Sequence, residues 1–292
     1  MTETVGRFAP SPTGPLHAGS LLAAIASYCS ARAAGGRWLV RMEDLDPPRE
    51  MPGAASLILR QLEACGFEWD GDIRYQSRRL EAYEAALAQL HDSGDIFWCR
   101  CSRTDLAGLP SPVYPGTCRR FTAYRADAAV RLRVPQGVIQ FRDTVFGVQH
   151  EDVSQSVGDF ILKRRDGPNA YQLAVVVDDA DQGITEVVRG ADLLDNTARQ
   201  IVLQQRLGLA TPGYTHLPLI VHADGSKLSK QTFAPALPLE GTVPLLLSAL
   251  LQLNQAPPPD LAGEPPAAVL AWAIEHWRPE RIAPGPIPQR PA

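Results

Sequence analysis

Short apolar runs alternate with helical patterns through the N-terminal third of the chain, and this order constrains the fold more than any other feature. Apolar runs at residues 5–10 and 38–42 are predicted to be strands. Three helical patterns follow them in turn, at residues 18–34, 53–65 and 78–91. Ser77 is the predicted N-cap of the third helix. A β-α-β-α order predicts a parallel sheet with helices packed on its faces.

The same alternation resumes after residue 166. Strands are predicted at 171–177, 184–188 and 217–221, and helices at 196–207, 243–253 and 267–276. Between the two alternating regions, residues 99–166 lose helical periodicity and gain arginines and Pro/Gly turns, so we expect an inserted subdomain there. Prolines crowd the C-terminal end, which predicts a loosely ordered tail over the last dozen residues.

The overall charge excludes one class of function. The chain has 28 Lys and Arg against 32 Asp and Glu, for a net charge of −4 at pH 7. This excludes a generally basic coating protein but not a local basic groove, because net charge averages over all faces. The basic stretches 119–133 and 163–165 are candidates for contact with an RNA backbone, and solvated surface charge is the alternative.

Targeting segments and cysteines indicate the cellular compartment in which the protein is expected. We find neither a secretory signal pattern nor a run of about 18 apolar residues that would predict a membrane helix. Of the five cysteines, three are clustered: Cys99, Cys101 and Cys118. An odd, clustered set is a poor disulfide framework and favours a metal site in a reducing compartment, so we expect a cytoplasmic protein.

The loop from Pro10 to Ser20, after the first predicted strand, is the first candidate site. Small residues at a strand-to-helix turn place backbone N–H groups and a helix N-terminus where a phosphate can approach. His17 lies at this turn and can donate a hydrogen bond to a phosphate oxygen. Taken alone, the loop is better explained as a proline-rich connection with an incidental surface histidine.

The loop at residues 226–231, after the last predicted strand, is the second candidate site. Lys227 and Lys230 flank a serine there, and two lysines can offset charge that develops on a polyphosphate. By itself, a solvated turn is the better explanation. Both loops, however, are expected at the carboxyl ends of parallel strands, where open α/β sheets bind ligands, so the pair favours a nucleotide site.

These two loops resemble the signature sequences of class I aminoacyl-tRNA synthetases. The first is RFAPSPTGPLHAG at residues 7–19, and the second is KLSK at 227–230. Together with RMEDLD at 41–46 and YQS at 75–77, the first string is similar to the glutamyl-tRNA synthetase branch. The general signature has a second histidine where Ser20 stands and a final serine where Gln231 stands, but His17 and Lys230 are both present.

The region after residues 226–231 indicates which family of the glutamyl branch the chain resembles. It is short and rich in proline, which leaves too little chain for the helical anticodon-binding region of glutamyl-tRNA synthetases. This outline, the Cys-x-Cys insertion and Arg49 after Asp46-Pro47-Pro48 resemble the glutamyl-Q tRNA(Asp) synthetase family. The resemblance implies activation of glutamate without tRNA, followed by its transfer to the queuosine base of tRNA(Asp) rather than to a 3′ end.

The resemblance also implies a set of site residues. The catalytic residues would be His17 and Lys230. ATP, bound with Mg²⁺, would contact Pro10, His17, Gly19, Ser20, Lys227, Ser229 and Lys230. Glutamate would contact Arg7, Phe8, Ala9, Pro10, Ser11, Glu43, Tyr171 and Arg189. Chemically, the two arginines suit the two carboxylates of glutamate and Glu43 suits its ammonium group, although a surface arginine explains Arg189 alone equally well.

The clustered cysteines offer three of the four ligands of a tetrahedral zinc site. Spacing alone leaves Tyr114, His91, Cys65 and a distant histidine open as the fourth ligand. The resemblance implies Tyr114, because the family carries Cys-x-Cys followed by Tyr-x3-Cys, which Tyr114 and Cys118 reproduce. We expect a structural zinc that holds an insertion too small for its own core, with three buried free cysteines as the alternative.

These features predict an α/β fold with a Rossmann-type class I synthetase catalytic domain. Its halves are expected at residues 1–98 and 167–231, with the zinc-binding subdomain at 99–166 and a short helical, proline-rich extension at 232–292. The expected activity is that of an ATP-dependent aminoacyl ligase. Two alternatives stay open: a truncated glutamyl-tRNA synthetase that charges a 3′ end, and a catalytically inactive, zinc-stabilised RNA-binding module.

Overall fold

The computed structural model of the protein describes residues 3–108, 111, 113–221 and 235–288. The first elements are β1 (Val5–Phe8), α1 (Ala18–Ala33), β2 (Arg37–Met42), α2 (Ala54–Ala64), β3 (Arg74–Tyr75) and α3 (Leu80–Asp92). The three strands pair in parallel, with β2 between β1 and β3. The predicted alternation of strands and helices at the start of the chain is therefore confirmed.

The middle of the chain contributes to two different sheets. Its elements are β4 (Ile96–Cys99), α4 (Arg103–Ala107), β5 (Ala129–Leu132), β6 (Ile139–Asp143), β7 (Gly147–Glu151), α5 (Val153–Ser156) and β8 (Ile161–Lys163). Strands β4, β5 and β8 form an antiparallel sheet. The β6–β7 hairpin instead extends the sheet of the last third of the chain, although it lies within the segment expected as the insertion.

The last third completes the parallel layer. Its elements are α6 (Tyr171–Asp181), β9 (Glu186–Gly190), α7 (Thr197–Leu207), β10 (Gly213–Leu217), β11 (Ile220–Val221), α8 (Val243–Gln252), α9 (Pro266–Glu275) and β12 (Ile287–Pro288). The second sheet has the order β7-β6-β10-β9, in which β10 is parallel to both of its neighbours. Two hydrogen bonds between Val5 and Thr185, of 2.8 and 3.0 Å, join β1 to the residue before β9.

Helices cover the two faces of this layer. Trp38, Val40 and Met42 of β2 are buried in the cluster that includes α1, α8 and α9. Leu39 belongs to a separate cluster with Ile201 of α7, because successive side chains of a strand point to opposite faces. Within the described ranges, no helix is both long and apolar enough to cross a lipid bilayer.

One predicted strand is a helix. The expectation of a strand at residues 171–177 is wrong, because these residues form the first turns of α6 (Tyr171–Asp181). Residues 173–177 are all buried, so the run is apolar on every side. A short run of this kind does not distinguish a buried strand from a buried helix by its periodicity. The helix packs against both α3 and α7, which buries it on several sides.

Two smaller expectations also differ from the structure. Ser77 is not the N-cap of α3, which begins at Leu80; its hydroxyl instead donates a 2.6 Å hydrogen bond to Asp44. The strand expected at 217–221 is divided, since β10 ends at Leu217 and β11 follows after a break. The predicted helices at 196–207, 243–253 and 267–276 are confirmed as α7, α8 and α9.

The C-terminal tail is more ordered than expected as far as Pro288. Strand β12 pairs in parallel with β11, and the Ile287 N–H donates a 2.9 Å hydrogen bond to the Leu219 carbonyl. The expectation of a loose tail is therefore wrong for these residues. The pairing of β12 with β11 gives these backbone groups hydrogen-bond partners, which the proline-rich composition does not predict.

Gln61 of α2 connects two distant parts of the chain. Its Oε1 accepts a 2.8 Å hydrogen bond from the Leu16 N–H, and its Nε2 donates a 2.6 Å bond to the Leu237 carbonyl. The Leu237 N–H in turn donates to the Leu16 carbonyl at 2.8 Å. With Gln61 only 1% exposed, this buried connection fixes the loop before α1 to the residues that follow the second candidate loop. We call these three residues the Gln61 clip.

Candidate active site and cysteine cluster

A cavity of about 370 Å³ opens where β1, β9 and β10 reach their carboxyl ends. Every residue predicted to contact glutamate lines it: Arg7, Phe8, Ala9, Pro10, Ser11, Glu43, Tyr171 and Arg189. Four of the residues predicted to contact ATP line the same cavity: Pro10, His17, Gly19 and Ser20. The others, Lys227, Ser229 and Lys230, lie outside the described residues. The cavity thus brings together residues from both halves of the chain.

The N-terminus of α1 opens on this cavity. His17 is the N-cap residue, and its Nδ1 accepts a 3.1 Å hydrogen bond from the Gly19 N–H. A Cβ at position 19 would lie 3.1 Å from the ring of His17, so glycine gives the ring room to fold over the first turn. A helix N-terminus carries partial positive charge and attracts anions. His17 is therefore part of the helix cap and not an incidental surface residue.

Two buried arginines share one carboxylate beside the cavity. Arg7 Nε lies 3.3 Å and Arg41 Nη2 lies 2.8 Å from Oδ1 of Asp179, a residue of α6. Burial opposes ionisation of Asp179, but the charges of Arg41 and Arg7 outweigh it and lower the pKa of its carboxyl group. Asp179 is therefore the permanent counter-ion of this pair.

Glu43 belongs to the same cluster but is less well compensated. Its Oε1 lies 3.5 Å from Arg41 Nη2, whereas Oδ1 of Asp179 lies 2.8 Å from the same nitrogen. Burial is the main cause that raises the pKa of Glu43, and attraction to Arg41 and Arg7 offsets it only in part. A cation that entered the cavity would stabilise the ionised form of Glu43.

Arg189 of β9 also lines the cavity and is 5% exposed. Its guanidinium donates five hydrogen bonds, to His216 Nε2, Gln200 Oε1, Thr197 Oγ1, Tyr171 Oη and the Leu193 carbonyl. The ring of His216 is in turn bonded through Nδ1 to Asp143 Oδ2, at 2.6 Å. The expectation of a surface arginine at this position is thus excluded.

The clustered cysteines come together at the end of β4. The Sγ atoms of Cys99, Cys101 and Cys118 all lie within 4.8 Å of one another. Cys101 and Cys118 are separated by 3.7 Å, too far for a disulfide and close to the spacing of about 3.8 Å that two thiolates adopt on one tetrahedral zinc ion. The donor set therefore fits a zinc ion.

Tyr114 Oη faces the same point. It lies 3.3 Å from Cys99 Sγ and 3.9 Å from Cys101 Sγ, and it accepts a 2.9 Å hydrogen bond from the Cys118 N–H. Burial and the neighbouring thiols raise the pKa of Cys101 to about 11. The other ligands that spacing left open, Cys65, His91 and a distant histidine, do not belong to the cluster among the described residues.

The basic stretches expected to contact RNA are partly engaged within the protein. Arg119 makes two 2.6 Å hydrogen bonds to Asp159, and Lys163 lies 2.6 Å from Glu84. Arg125 is half-buried and lies over the ring of Phe121, at 4.0 Å from its centroid. These contacts reduce the number of charges that are available to a nucleic acid.

Comparisons with known proteins decide the family. The family described as tRNA synthetases class I (E and Q), catalytic domain, matches residues 3–111 and 114–236. A glutamyl-Q tRNA(Asp) synthetase of Thiobacillus denitrificans is 56% identical over 99% of this chain and 98% of its own length. One from Pseudomonas aeruginosa is 55% identical over 95% of this chain and 94% of its own length.

The chain belongs to the glutamyl-Q tRNA(Asp) synthetase family. Membership in the class I group confirms the predicted α/β synthetase fold. A crystal structure of a glutamate tRNA ligase from Elizabethkingia meningosepticum, in complex with its amino acid, superposes with a TM-score of 0.83 at 22% identity. That similarity, which covers 98% of this chain and 67% of the other, shows a shared fold.

Sequence reasoning missed the residues behind the cavity that hold its arginines. They are Asp143, Asp179, Thr197, Gln200 and His216. None of them lies within the sequence motifs that carry the family resemblance. The one available signal was Asp178-Asp179 at the end of an apolar run, since buried carboxylates require partners.

Proposed function

We propose that the chain activates L-glutamate with ATP, without tRNA, and transfers the glutamyl group to the queuosine base in the anticodon of tRNA(Asp). The observation that carries this proposal is the charge pattern of the cavity. Arg7 and Arg189 offer cationic groups to two carboxylates, and Glu43 offers an anion to an ammonium group. Glutamate has these three charges, whereas glutamine lacks one and would leave a buried arginine without its anion.

In the first step, an oxygen of the glutamate α-carboxylate attacks the α-phosphorus of ATP. A new O–P bond forms, the bond to the bridging oxygen of the β-phosphate breaks, and pyrophosphate leaves. The N-terminus of α1 and His17 stabilise negative charge on the α-phosphate. Lys230 offsets charge on the leaving pyrophosphate. ATP enters as its Mg²⁺ complex, in which the ion neutralises part of the phosphate charge.

In the second step, a hydroxyl oxygen of the queuosine ring attacks the carbonyl carbon of glutamyl-adenylate. An ester forms, AMP leaves, and the hydroxyl proton passes to solvent. The two arginines that lie over Phe121, the exposed Arg120 and the half-buried Arg125, contact the RNA backbone. The reaction requires tRNA and ATP, so we infer that the protein acts in the cytoplasm.

The cysteine cluster has a structural part in this proposal. Cys99, Cys101, Cys118 and Tyr114 would hold one zinc ion. Such an ion would cross-link the end of β4 to the loop that precedes β5 and so stabilise this small subdomain.

Transfer of labelled glutamate to two tRNA preparations tests the proposed function. With ATP and Mg²⁺ present, we expect label on tRNA from queuosine-containing cells and none on tRNA from queuosine-free cells. A third preparation, queuosine-containing tRNA without its 3′-terminal adenosine, controls for charging at the 3′ end and is expected to accept label equally.

The two alternatives give different results in the same assay. A truncated glutamyl-tRNA synthetase would label both intact preparations and fail on the tRNA without its terminal adenosine. An inactive RNA-binding module would label none, and it would also show no exchange of pyrophosphate into ATP when glutamate is added. Either pattern would overturn the proposed function.

A further inference from the structure

The hydrogen bonds of Arg189 divide into two groups. Three are short: 3.0 Å to His216 Nε2, 2.8 Å to Gln200 Oε1 and 2.9 Å to Thr197 Oγ1. These acceptors are not among the described residues that line the cavity. The short bonds therefore hold the guanidinium from behind.

The other two bonds are longer and lie on the cavity side. Arg189 Nη1 is 3.4 Å from Tyr171 Oη, and Nη2 is 3.3 Å from the Leu193 carbonyl oxygen. Tyr171 and Leu193 both line the cavity. One N–H of each Nη group thus points toward the cavity, which is the arrangement that a carboxylate needs for two parallel hydrogen bonds.

The bond from Arg189 Nε depends on the protonation of His216. Nε2 of His216 accepts the Arg189 Nε–H, and the Thr197 hydroxyl lies 3.2 Å from the same nitrogen. Because an arginine only donates, Nε2 must carry a lone pair, and the ring proton must be on Nδ1. Burial lowers the pKa of His216, and together with the charge of Arg189 it outweighs the opposing effect of Asp143, which favours this neutral ring.

Asp143 fixes that tautomer. Its Oδ2 lies 2.6 Å from Nδ1 of His216 and 3.0 Å from the backbone nitrogen of the same residue. Its Oδ1 accepts hydrogen bonds from the backbone N–H groups of Val145 and Phe146, at 3.0 and 2.9 Å. These bonds fix the orientation of the carboxylate, whose Oδ2 accepts a hydrogen bond from the Nδ1–H group of His216.

We propose that Asp143 and His216 are positioning residues that hold Arg189 for a carboxylate of the amino acid substrate. This inference rests on the proposed function, since it takes glutamate as that substrate. The incoming carboxylate replaces the two long bonds of Arg189 and leaves the three short ones intact. The β6–β7 hairpin, which carries Asp143, thereby contributes to amino acid affinity without touching the substrate.

Two variants of His216 separate positioning from simple folding. His216→Asn keeps an amide donor near Nδ1 for Asp143 but has no acceptor near Arg189 Nε. His216→Gln places an amide oxygen nearer the Nε2 position. Thr215→Val is the matched control, because Thr215 is also buried on β10, 2% exposed, and its hydroxyl bonds to Thr144 rather than to the Arg189 network.

The readout is ATP–pyrophosphate exchange with the purified full chain, at varied glutamate and varied ATP. We expect His216→Asn to raise the KM for glutamate about tenfold with less than a twofold change in the KM for ATP. His216→Gln is expected to recover most of that loss, and Thr215→Val to change neither constant. Equal rises in both KM values, or no rise for His216→Asn, would overturn the inference.

The tautomer of His216 provides a readout that needs no activity. In ¹⁵N-labelled protein at pH 7.5, we expect an Nδ1–H imidazole signal that is absent from the His216→Gln spectrum. An Nε2–H tautomer or an imidazolium would contradict the inference. If the wild-type protein shows no glutamate-dependent exchange, both the proposed function and this inference are wrong. If the variants are active and their KM values are unchanged, only this inference is wrong.

Discussion

Two carboxylates beside the cavity differ in how far the protein has neutralised them. Asp179 contacts both Arg7 and Arg41, and its pKa is lowered, whereas Glu43 has one long contact to Arg41 and a raised pKa. Asp179 thus serves the folded protein, and Glu43 retains unsatisfied charge that a substrate ammonium group can use.

Removal of the Glu43 charge tests that division. We expect Glu43→Gln to raise the KM for glutamate in ATP–pyrophosphate exchange by on the order of 10- to 100-fold, because a charged hydrogen bond to the ammonium group is lost. Asp44→Asn is the control, since Asp44 bonds to Ser77 and does not line the cavity. Similar KM values for both variants would contradict a role of Glu43 in binding.

His216 makes stability depend on pH. Because burial lowers its pKa in the folded protein, the unfolded chain binds the extra proton first, and stability falls as the pH drops below about 6.5. The slope contributed by this one group approaches about 1.4 kcal/mol per pH unit until the folded-state pKa is reached. Urea unfolding of wild type and His216→Gln between pH 5 and 8 measures it as the difference between the two curves. Parallel curves would show that His216 does not titrate in this way.

Site residues that lie within continuous sequence motifs were predictable, whereas the buried residues that hydrogen-bond to the site arginines were not. Arg7, His17 and Glu43 follow from strings that the resemblance covers. Asp143 and His216 reach Arg189 only because β6, β10 and β9 lie side by side in one register. Strand order and register depend on tertiary packing, which no local pattern contains.

Helix α6 connects the cavity to the buried ion pairs. Tyr171 in its first turn lines the cavity, and Asp179 near its end bonds to Arg7 and Arg41. Eight residues span about 12 Å as a helix but about 26 Å as a strand, so only the helix keeps both residues at one site. The misassigned strand was therefore the error with the largest consequence for the site, although Tyr171 itself was expected to contact glutamate and lies 3.4 Å from Arg189 Nη1.

The cysteine cluster predicts the zinc content of the purified protein. Purified protein is expected to contain one zinc ion per chain, measured by elemental analysis, and Cys118→Ser is expected to lose it and to melt at a lower temperature. Cys65→Ala is the control, because Cys65 lies outside the cluster. Retention of zinc by Cys118→Ser, or equal loss by Cys65→Ala, would show that the metal is bound elsewhere.

The molecule as a whole is closed by contacts between its first and last thirds. Helices α8 and α9 pack on α1, Trp277 donates a 3.0 Å hydrogen bond to Ser30 of α1, and β12 pairs with β11 beside the cavity. The Gln61 clip adds hydrogen bonds to this apolar contact. The fold class was predictable from the order of strands and helices, but this closure was not, since it joins segments without a shared pattern.

Loss of the clip should weaken the whole molecule. Gln61→Leu leaves the Leu16 N–H and the Leu237 carbonyl without Gln61 as a partner, so we expect the free energy of unfolding to fall by roughly 2–4 kcal/mol. Gln61→Glu retains the acceptor for Leu16 but places a buried carboxylate oxygen against the Leu237 carbonyl oxygen, so a decrease at least as large is expected. Urea unfolding measures both, and an unchanged midpoint for Gln61→Leu would contradict the importance of the clip.

The Gln61 clip also sets the order in which the protein matures on the ribosome. Leu16 precedes the histidine of the first loop, and its N–H bonds to Gln61, yet its buried carbonyl finds its partner only when Leu237 has left the exit tunnel. Closing so long a loop is slow compared with local helix formation. The N-terminal end of α1 therefore takes its final shape late in biosynthesis, long after its own residues have been translated, and nascent chains that end before Leu237 do not yet have a finished cavity.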